Sequence, residues 1–388
     1  MITHALFWSS GFYIFYAYAG YPLLLKILSC FFGSPVRKEH FTPSVSLIIS
    51  AYNEENVIAD KLDNSLALDY PSKHLEIIVL SDGSSDRTEE IAGNYSPSGV
   101  KTLRVEGRLG KTSCLNRAVP VAKGEIIIFS DANSVYEKNA IREIVANFAD
   151  NTVGCVTGYT RYISSADNNI DESVSHYTQV ERITKSLESK IGSCVGADGA
   201  IFAIRKELYQ PLKATDINDF VIPLMVVRKG YRTVLEENAW CSEETAKDFK
   251  GEFSRQVRIT NRTLRAIFNN KDLLNIFVYK LFSYELFSHK LAKFLVPLFL
   301  TVVFLANLIL AKGKWLYKCF IAMQAIFYII AAFRGGSTPG PFESLRSACR
   351  TFVIVNAAIL KGWITYIRGE DFTTWKSSRS KYESVNEI

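Results

Sequence analysis

Paired cysteines are missing from this chain. Its seven cysteines, Cys30, Cys114, Cys155, Cys194, Cys241, Cys319 and Cys349, are odd in number and never stand as C-x-x-C. That argues against a disulfide framework and structural zinc, and for reduced cytosol. Histidine is scarce, with five in 388 residues; His176 and His289 share no metal-ligand spacing, so core or surface histidines are the default reading. A net charge of +6, from 45 basic and 39 acidic residues spread without long runs, gives nucleic acid no footing as a partner and favours a membrane surface. Repeats and low-complexity tracts are absent. With 48% apolar residues the chain is no disordered tail; its length suits two domains, or one domain plus a membrane portion.

Two phosphate-binding motifs are lacking as well. Gly107-Arg108-Leu109-Gly110-Lys111-Thr112 ends in Gly-Lys-Thr, but Val105 stands where the complete loop needs a glycine, and no strand is followed by G-x-G-x-x-G. The first apolar run is not expected to be a secretory signal, because no basic residue precedes it and no small-residue cleavage site follows it.

That run, Ala5 to Leu25, is uncharged and rich in Tyr, Phe and Trp, long enough to cross a bilayer as a retained anchor. Lys26, Arg37 and Lys38 follow it and mark the cytoplasmic side. The expected organisation is an anchor at 1–35, an α/β domain at 44–265, and a membrane-returning part at 270–368. Residues 291–310 and 315–333 read as spans there, with a further candidate at 347–367. The apolar stretch Thr351 to Leu360 lies between Arg350 and Lys361 and is too short to cross alone. Either its helix runs on through those charges or it lies along the interface, and the interfacial reading is preferred. Asp272 to Lys290 reads as a surface-lying helix, and 369–388 as a basic cytoplasmic tail.

Between residues 45 and 148 strand signals alternate with helix signals, which implies a parallel sheet wound with helices. Ile77-Ile78-Val79-Leu80 leads to Asp82, and Ile126-Ile127-Ile128-Phe129 leads to Asp131. Unbroken apolar runs are buried parallel strands, and ligands gather beyond their carboxyl ends. Two acids there, with Lys111 opening a helix, suit a diphosphate-bearing ligand and a hard divalent cation, Mg2+ or Mn2+.

Four strings in this order make the reading specific: Ser46 to Glu55 (SLIISAYNEE), Ser81 to Thr88 (SDGSSDRT), Gly110 to Asn116 (GKTSCLN) and Ser130-Asp131-Ala132-Asn133. Together they resemble the signatures of family 2 glycosyltransferases with the GT-A fold, above all the membrane-integrated hyaluronan, poly-N-acetylglucosamine and cellulose synthases. The resemblance implies a doubly wound, mostly parallel GT-A domain on the cytoplasmic side of the cell inner membrane, flanked by transmembrane helices. It implies that Ala51, Tyr52, Glu54, Asp82, Lys111 and Asp131 line a nucleotide site. Asp131 matches the first acid of a D-x-D metal motif whose third position is Asn133, so those two are the metal ligands implied. Gly196, Asp198 and Gly199 resemble the stretch facing the acceptor, and Asn218-Asp219-Phe220 resembles the motif holding the catalytic base, Asp219. The Q-x-x-R-W motif of processive synthases survives only at Arg258, because Arg255 and Ile259 replace its glutamine and tryptophan. Trp375 is expected to cap the acceptor.

Taken singly, each position has a plainer reading. Asp82 suits a turn, Lys111 a solvated helix start, Asp219 an N-cap, Asp198 a loop acid, and Arg258 a surface arginine beside Arg255 and Arg262. Order and company carry the functional reading. The implied activity is inverting transfer of a sugar from a nucleoside diphosphate donor, uridine diphosphate first, to a polysaccharide or lipid-linked saccharide, with membrane lipids around the enzyme. The alternative is a catalytically silent nucleotide-sugar-binding subunit of a polysaccharide assembly complex.

Overall fold

The computed structural model of the chain describes residues 1–163, 170–244, 249–333 and 340–374. Residues 33–163, 188–244 and 371–374 form a sheet unit, and 1–32, 170–187, 249–333 and 340–370 a helical unit.

In the sheet unit, β-branched runs too apolar to face water on either side become the central strands. Val45–Ala51 (β1), Leu75–Ser81 (β2), Val100–Arg104 (β3) and Ile126–Asp131 (β4) pair in parallel in the order β3-β2-β1-β4. All seven residues of β1 are buried, as a strand covered on both faces requires. Helices Ile58–Leu66, Thr88–Gly93 and Lys111–Val121 follow β1, β2 and β3. Val135–Tyr136 (β5), Val153–Ile163 (β6), Ile201–Arg205 (β7) and Arg232–Glu244 (β8) extend the sheet to the order β3-β2-β1-β4-β7-β6-β8-β5. β7 runs antiparallel to both β4 and β6, and β8 pairs parallel with β6 and antiparallel with β5. The class is α/β as expected. The sheet is mixed, because β7 reverses direction beside β4.

Register sets the site. Ser50 pairs with Asp131 and Ala51 with Ser81, so β1, β2 and β4 end level. The chain therefore leaves all three strands at one edge. Leu47, Ile49, Ile128, Ile144 and Phe148 belong to the core that holds these strands in place.

Among the described residues four helical stretches in the helical unit are long and apolar enough to cross a membrane: Ile2–Phe31, Leu281–Leu310, Trp315–Ala332 and Phe342–Ile367. Their outward faces carry Leu6, Phe12, Phe15, Leu305, Ile309, Met323 and Ile329. A helix bundle with apolar side chains on its outside suits lipid rather than water. The first two stretches pack through Ala17, Ala292 and Val296, with Tyr13 stacked on Phe299 at 3.9 Å. Small residues allow such close approach.

Two local differences from the sequence reading have physical causes. The second stretch begins at Leu281 rather than 291, because the polar residues of its first turns are buried inside the bundle: Ser283, Glu285, Ser288 and His289 are at most 3% exposed. Tyr16 Oη lies 2.6 Å from both Tyr284 Oη and Ser288 Oγ, and His289 Nε2 lies 2.9 Å from Glu181. The Thr351–Leu360 stretch is the middle of a single helix, Pro341–Ile367, which runs on through Arg350 and Lys361. Gly362 brings that helix against Phe249–Asn269 so closely that a Cβ there would lie 2.6 Å from Thr260 Cβ.

Candidate functional site

The loops after β1 and β2 are zipped to each other. Ala51, buried at the end of β1, accepts from Asp82 N–H at 3.0 Å. Asn53 adopts a left-handed φ of 53°, a conformation its short amide tolerates, and accepts from Ser85 N–H at 2.8 Å. Glu54 N–H donates to Thr88 Oγ1 at 2.8 Å and Glu55 N–H to Asp86 at 3.1 Å. These bonds preset the wall along which Tyr52 and Glu54 stand.

Asp82 is 1% exposed. Its two oxygens accept from Leu109 N–H at 2.8 Å and Gly110 N–H at 2.9 Å. Cys114 Sγ lies 3.1 Å away, and burial first, with the bond to Asp82 second, pushes that thiol's pKa up. It stays a donor. Asp82 thus clamps the Gly107–Gly110 turn from beneath. Gly83 must be a glycine: its φ is 67°, and a Cβ would lie 2.7 Å from Gly107 O. The clamp also places Arg108, whose guanidinium carbon stands 3.8 Å from the centroid of the Tyr52 ring. Sequence reading missed Arg108, which stood out only as part of an incomplete phosphate loop. The pairing depends on a turn and a tyrosine distant in sequence.

Asp131 closes β4 with its side chain 37% exposed. Lys111, the first residue of the Lys111–Val121 helix, places Nζ 2.5 Å from Asp131 Oδ1 and donates to Gly199 O at 3.2 Å. Gly199 in turn faces Asp219 so closely that a Cβ would come 2.8 Å from Asp219 Oδ2. Positions 111, 131, 199 and 219, from four separate segments of the chain, therefore meet at one end of β4. Asp219 lies in the first turn of the Asn218–Arg228 helix, where the macrodipole favours an ionised carboxylate. Gly196, at φ 89°, leads into Ala197, whose N–H donates to Asp219 O at 2.7 Å.

Asp198 serves a different neighbour. Its carboxylate accepts from Thr160 N–H at 2.9 Å, Thr160 Oγ1 at 3.0 Å and Ala200 N–H at 3.1 Å. This ties the segment to β6, and Asp198 is a brace of the 196–200 turn. Arg258 belongs to the Phe249–Asn269 helix of the helical unit. Trp375 lies outside the described residues.

The donors that could hold a cation are the Asp131 carboxylate and the Asn133 amide. Asn133 is half-buried and its side chain makes no hydrogen bond among the described residues. Among the described residues no group of three His, Cys, Asp or Glu could ligate a metal. Hard oxygen ligands from one carboxylate and one amide fit Mg2+ or Mn2+, which normally complete their shell with substrate phosphates and water. The residues present fit such an ion bound together with a diphosphate.

An α/β unit with a mixed eight-stranded sheet and its acids at the level ends of β1, β2 and β4 has the GT-A architecture. Residues 46–212 match Glycosyl transferase family 2. The chain is 31% identical over 204 residues to "Probable glycosyltransferase YdaM" of Bacillus subtilis, covering 49% of this chain and 48% of that one. It is 26% identical over 230 residues to the poly-beta-1,6-N-acetyl-D-glucosamine synthase of Staphylococcus epidermidis, covering 58% and 55%. It therefore spans about half the length of these curated relatives. The mannosyltransferase PcManGT of Pyrobaculum calidifontis, solved with GDP-Man and Mn2+, shares the fold with a TM-score of 0.72 at 21% identity, over 94% of this chain and 99% of that one.

Proposed function

We propose that the protein is a membrane-bound, inverting glycosyltransferase that moves a sugar from a nucleoside diphosphate donor to a saccharide or lipid-linked saccharide acceptor at the cytoplasmic face. The observation that carries this reading is the junction of Lys111 with Asp131 and Gly199, with Asp219 packed against Gly199. A cationic helix start, a strand-end acid and a second carboxylate in one place are what transfer from a diphosphate requires.

In this reading Tyr52, stacked with Arg108, and the loop carrying Glu54 wall the nucleotide. Asp82 acts by holding the Gly107–Gly110 turn, and so sets where Lys111 starts. Lys111 meets the negative charge of the diphosphate as it leaves. Asp131 and Asn133 would hold a divalent cation, which supplies charge neutralisation to the leaving diphosphate. Asp219 takes the proton from the acceptor hydroxyl as its oxygen attacks the anomeric carbon, and one displacement inverts that centre. Arg258 is assigned to the diphosphate and Trp375 to the acceptor, each on its motif position. The names of the relatives put an N-acetylglucosaminyl donor and a mannosyl donor first in the panel to be tested.

The test is turnover of labelled UDP- and GDP-sugars by membranes containing the full chain, followed by partition of label into organic solvent or a high-mass polymer. Transfer that disappears in Asp131→Ala and in Asp219→Asn supports the reading. No transfer from any donor by the intact chain would overturn it in favour of a silent nucleotide-sugar-binding subunit.

A further inference from the structure

Beneath the Asp131 turn lies a polar layer that this mechanism leaves unused. Lys61 sits in the Ile58–Leu66 helix and is 1% exposed. A lysine on a helix facing a core normally runs its stem along apolar surface and sends its ammonium to water. Here the ammonium is turned inward. Nζ donates to Ser134 O at 2.7 Å and stands 3.4 Å from Ser134 Oγ; it also lies 3.9 Å from the centroid of the Tyr136 ring. Among the described residues no carboxylate pairs with it directly. The ionisable groups that face it are Cys241 and Glu243 from β8 and Asp131 from β4, and burial outweighs them, lowering its pKa to about 7.

An ammonium buried with only a carbonyl, a hydroxyl and a ring face is costly to keep, and a methionine of similar shape would fill the same space. What the ammonium touches explains its retention. Ser134 Oγ donates to Asp131 O at 2.8 Å and lies 3.1 Å from Ser130 Oγ, so Ser134 sets the turn carrying Asp131 and Asn133. Tyr136 Oη donates to Ala200 O at 2.9 Å, next to the Gly199 carbonyl that receives Lys111. Among the described residues Lys61 is thus a cation that touches both braces, one under the turn of Asp131 and Asn133 and one under the 199–200 segment.

We propose that Lys61 is a positioning residue for the cation site, its ammonium fixing the Asp131–Ser134 turn from below so that Asp131 and Asn133 present their oxygens together to one divalent ion. This rests on the glycosyltransferase reading above.

The test compares the full-length protein with Lys61→Met and Ser134→Ala, measuring Mn2+ binding in the presence of uridine or guanosine diphosphate by electron paramagnetic resonance, beside thermal unfolding. Replacing a buried ion by an apolar isostere is often neutral or stabilising, so Lys61→Met is expected to unfold no lower than the intact protein. Partners that orient metal ligands typically matter 10- to 100-fold, so its Mn2+ affinity is expected to fall on the order of 10-fold, with Ser134→Ala shifted in the same direction. Unchanged Mn2+ affinity in both variants, or no Mn2+ binding by the intact protein, overturns the proposal. If Lys61→Met does not fold, Ser134→Ala decides alone. An intact chain that transfers no sugar, while these affinities still shift, sinks the activity and leaves the role of Lys61 standing. An active chain with unshifted affinities does the reverse.

Discussion

Asp82 and Asp131 close neighbouring parts of one sheet, each following an apolar run, yet they live in different surroundings. Asp82 is 1% exposed and spends both oxygens on the Leu109 and Gly110 N–H groups. Asp131 keeps its side chain 37% exposed and meets one cation, Lys111, which is also bonded to Gly199 O. The difference teaches that a strand-end acid has two uses. One positions a turn through its own backbone; the other stays open so that charge can be exchanged there.

The largest break of this comparison comes from Asp131→Ala. Loss of a group that acts on developing charge typically removes on the order of 10^3-fold in rate, and transfer is expected to fall that far. Unfolding temperature should move little, since a partly exposed carboxylate is lost. A large drop in melting temperature would mean that Asp131 is structural too.

Asp82→Ala should behave in the opposite way. It strips the part-buried Leu109 N–H and the buried Gly110 N–H of their acceptor, and an unsatisfied buried donor costs about 1–3 kcal/mol. Denaturant unfolding is therefore expected to show a loss of roughly 2–4 kcal/mol, with the donor KM rising because the turn loosens. Stability equal to that of the intact protein would leave the clamp without support.

Gly110→Ala sharpens the same point at the turn itself. Gly110 has φ 89°, and a Cβ there would clash with Thr373 O. A side chain in that strained conformation costs on the order of 1–3 kcal/mol, and both melting temperature and donor affinity should drop. A variant indistinguishable from the parent would show that residues 373–374 yield freely.

The smallest effect is a pH slope. The Lys61 pKa, lowered to about 7 by burial, lies below the roughly 10.4 of an unfolded lysine. Between those values the unfolded chain binds the extra proton, so this group makes stability rise with pH across that window, and its full penalty is present below pH 7. Unfolding measured from pH 7 to 10 should climb less steeply in Lys61→Met than in the parent. Equal slopes would contradict the buried ammonium.

Much of this architecture was legible in the chain because local pattern encodes local burial. The β-branched runs at 45–51, 75–81 and 126–131 could only be covered strands, and the acids after them marked the edge where a ligand gathers. The Thr351–Leu360 segment was harder, since Arg350 and Lys361 break an apolar run without breaking a helix. The polar turn from Ser283 to His289 hid the start of a candidate span for the opposite reason: Ser283, Glu285, Ser288 and His289 are buried in the bundle.

From residue order alone came the α/β class, the four strings in sequence, the apolar helices and the candidate acids, because each depends on periodicity or composition within a few neighbours. Tertiary structure decided the division of labour: that Asp82 is a clamp, that Asp198 braces β6, that Arg108 stacks on Tyr52, and that Lys61 is buried beneath the Asp131 turn. Those roles depend on partners such as Lys61 and Ser134, 73 positions apart. Whether a charge is open or satisfied is set by what folds against it, and no local pattern records that.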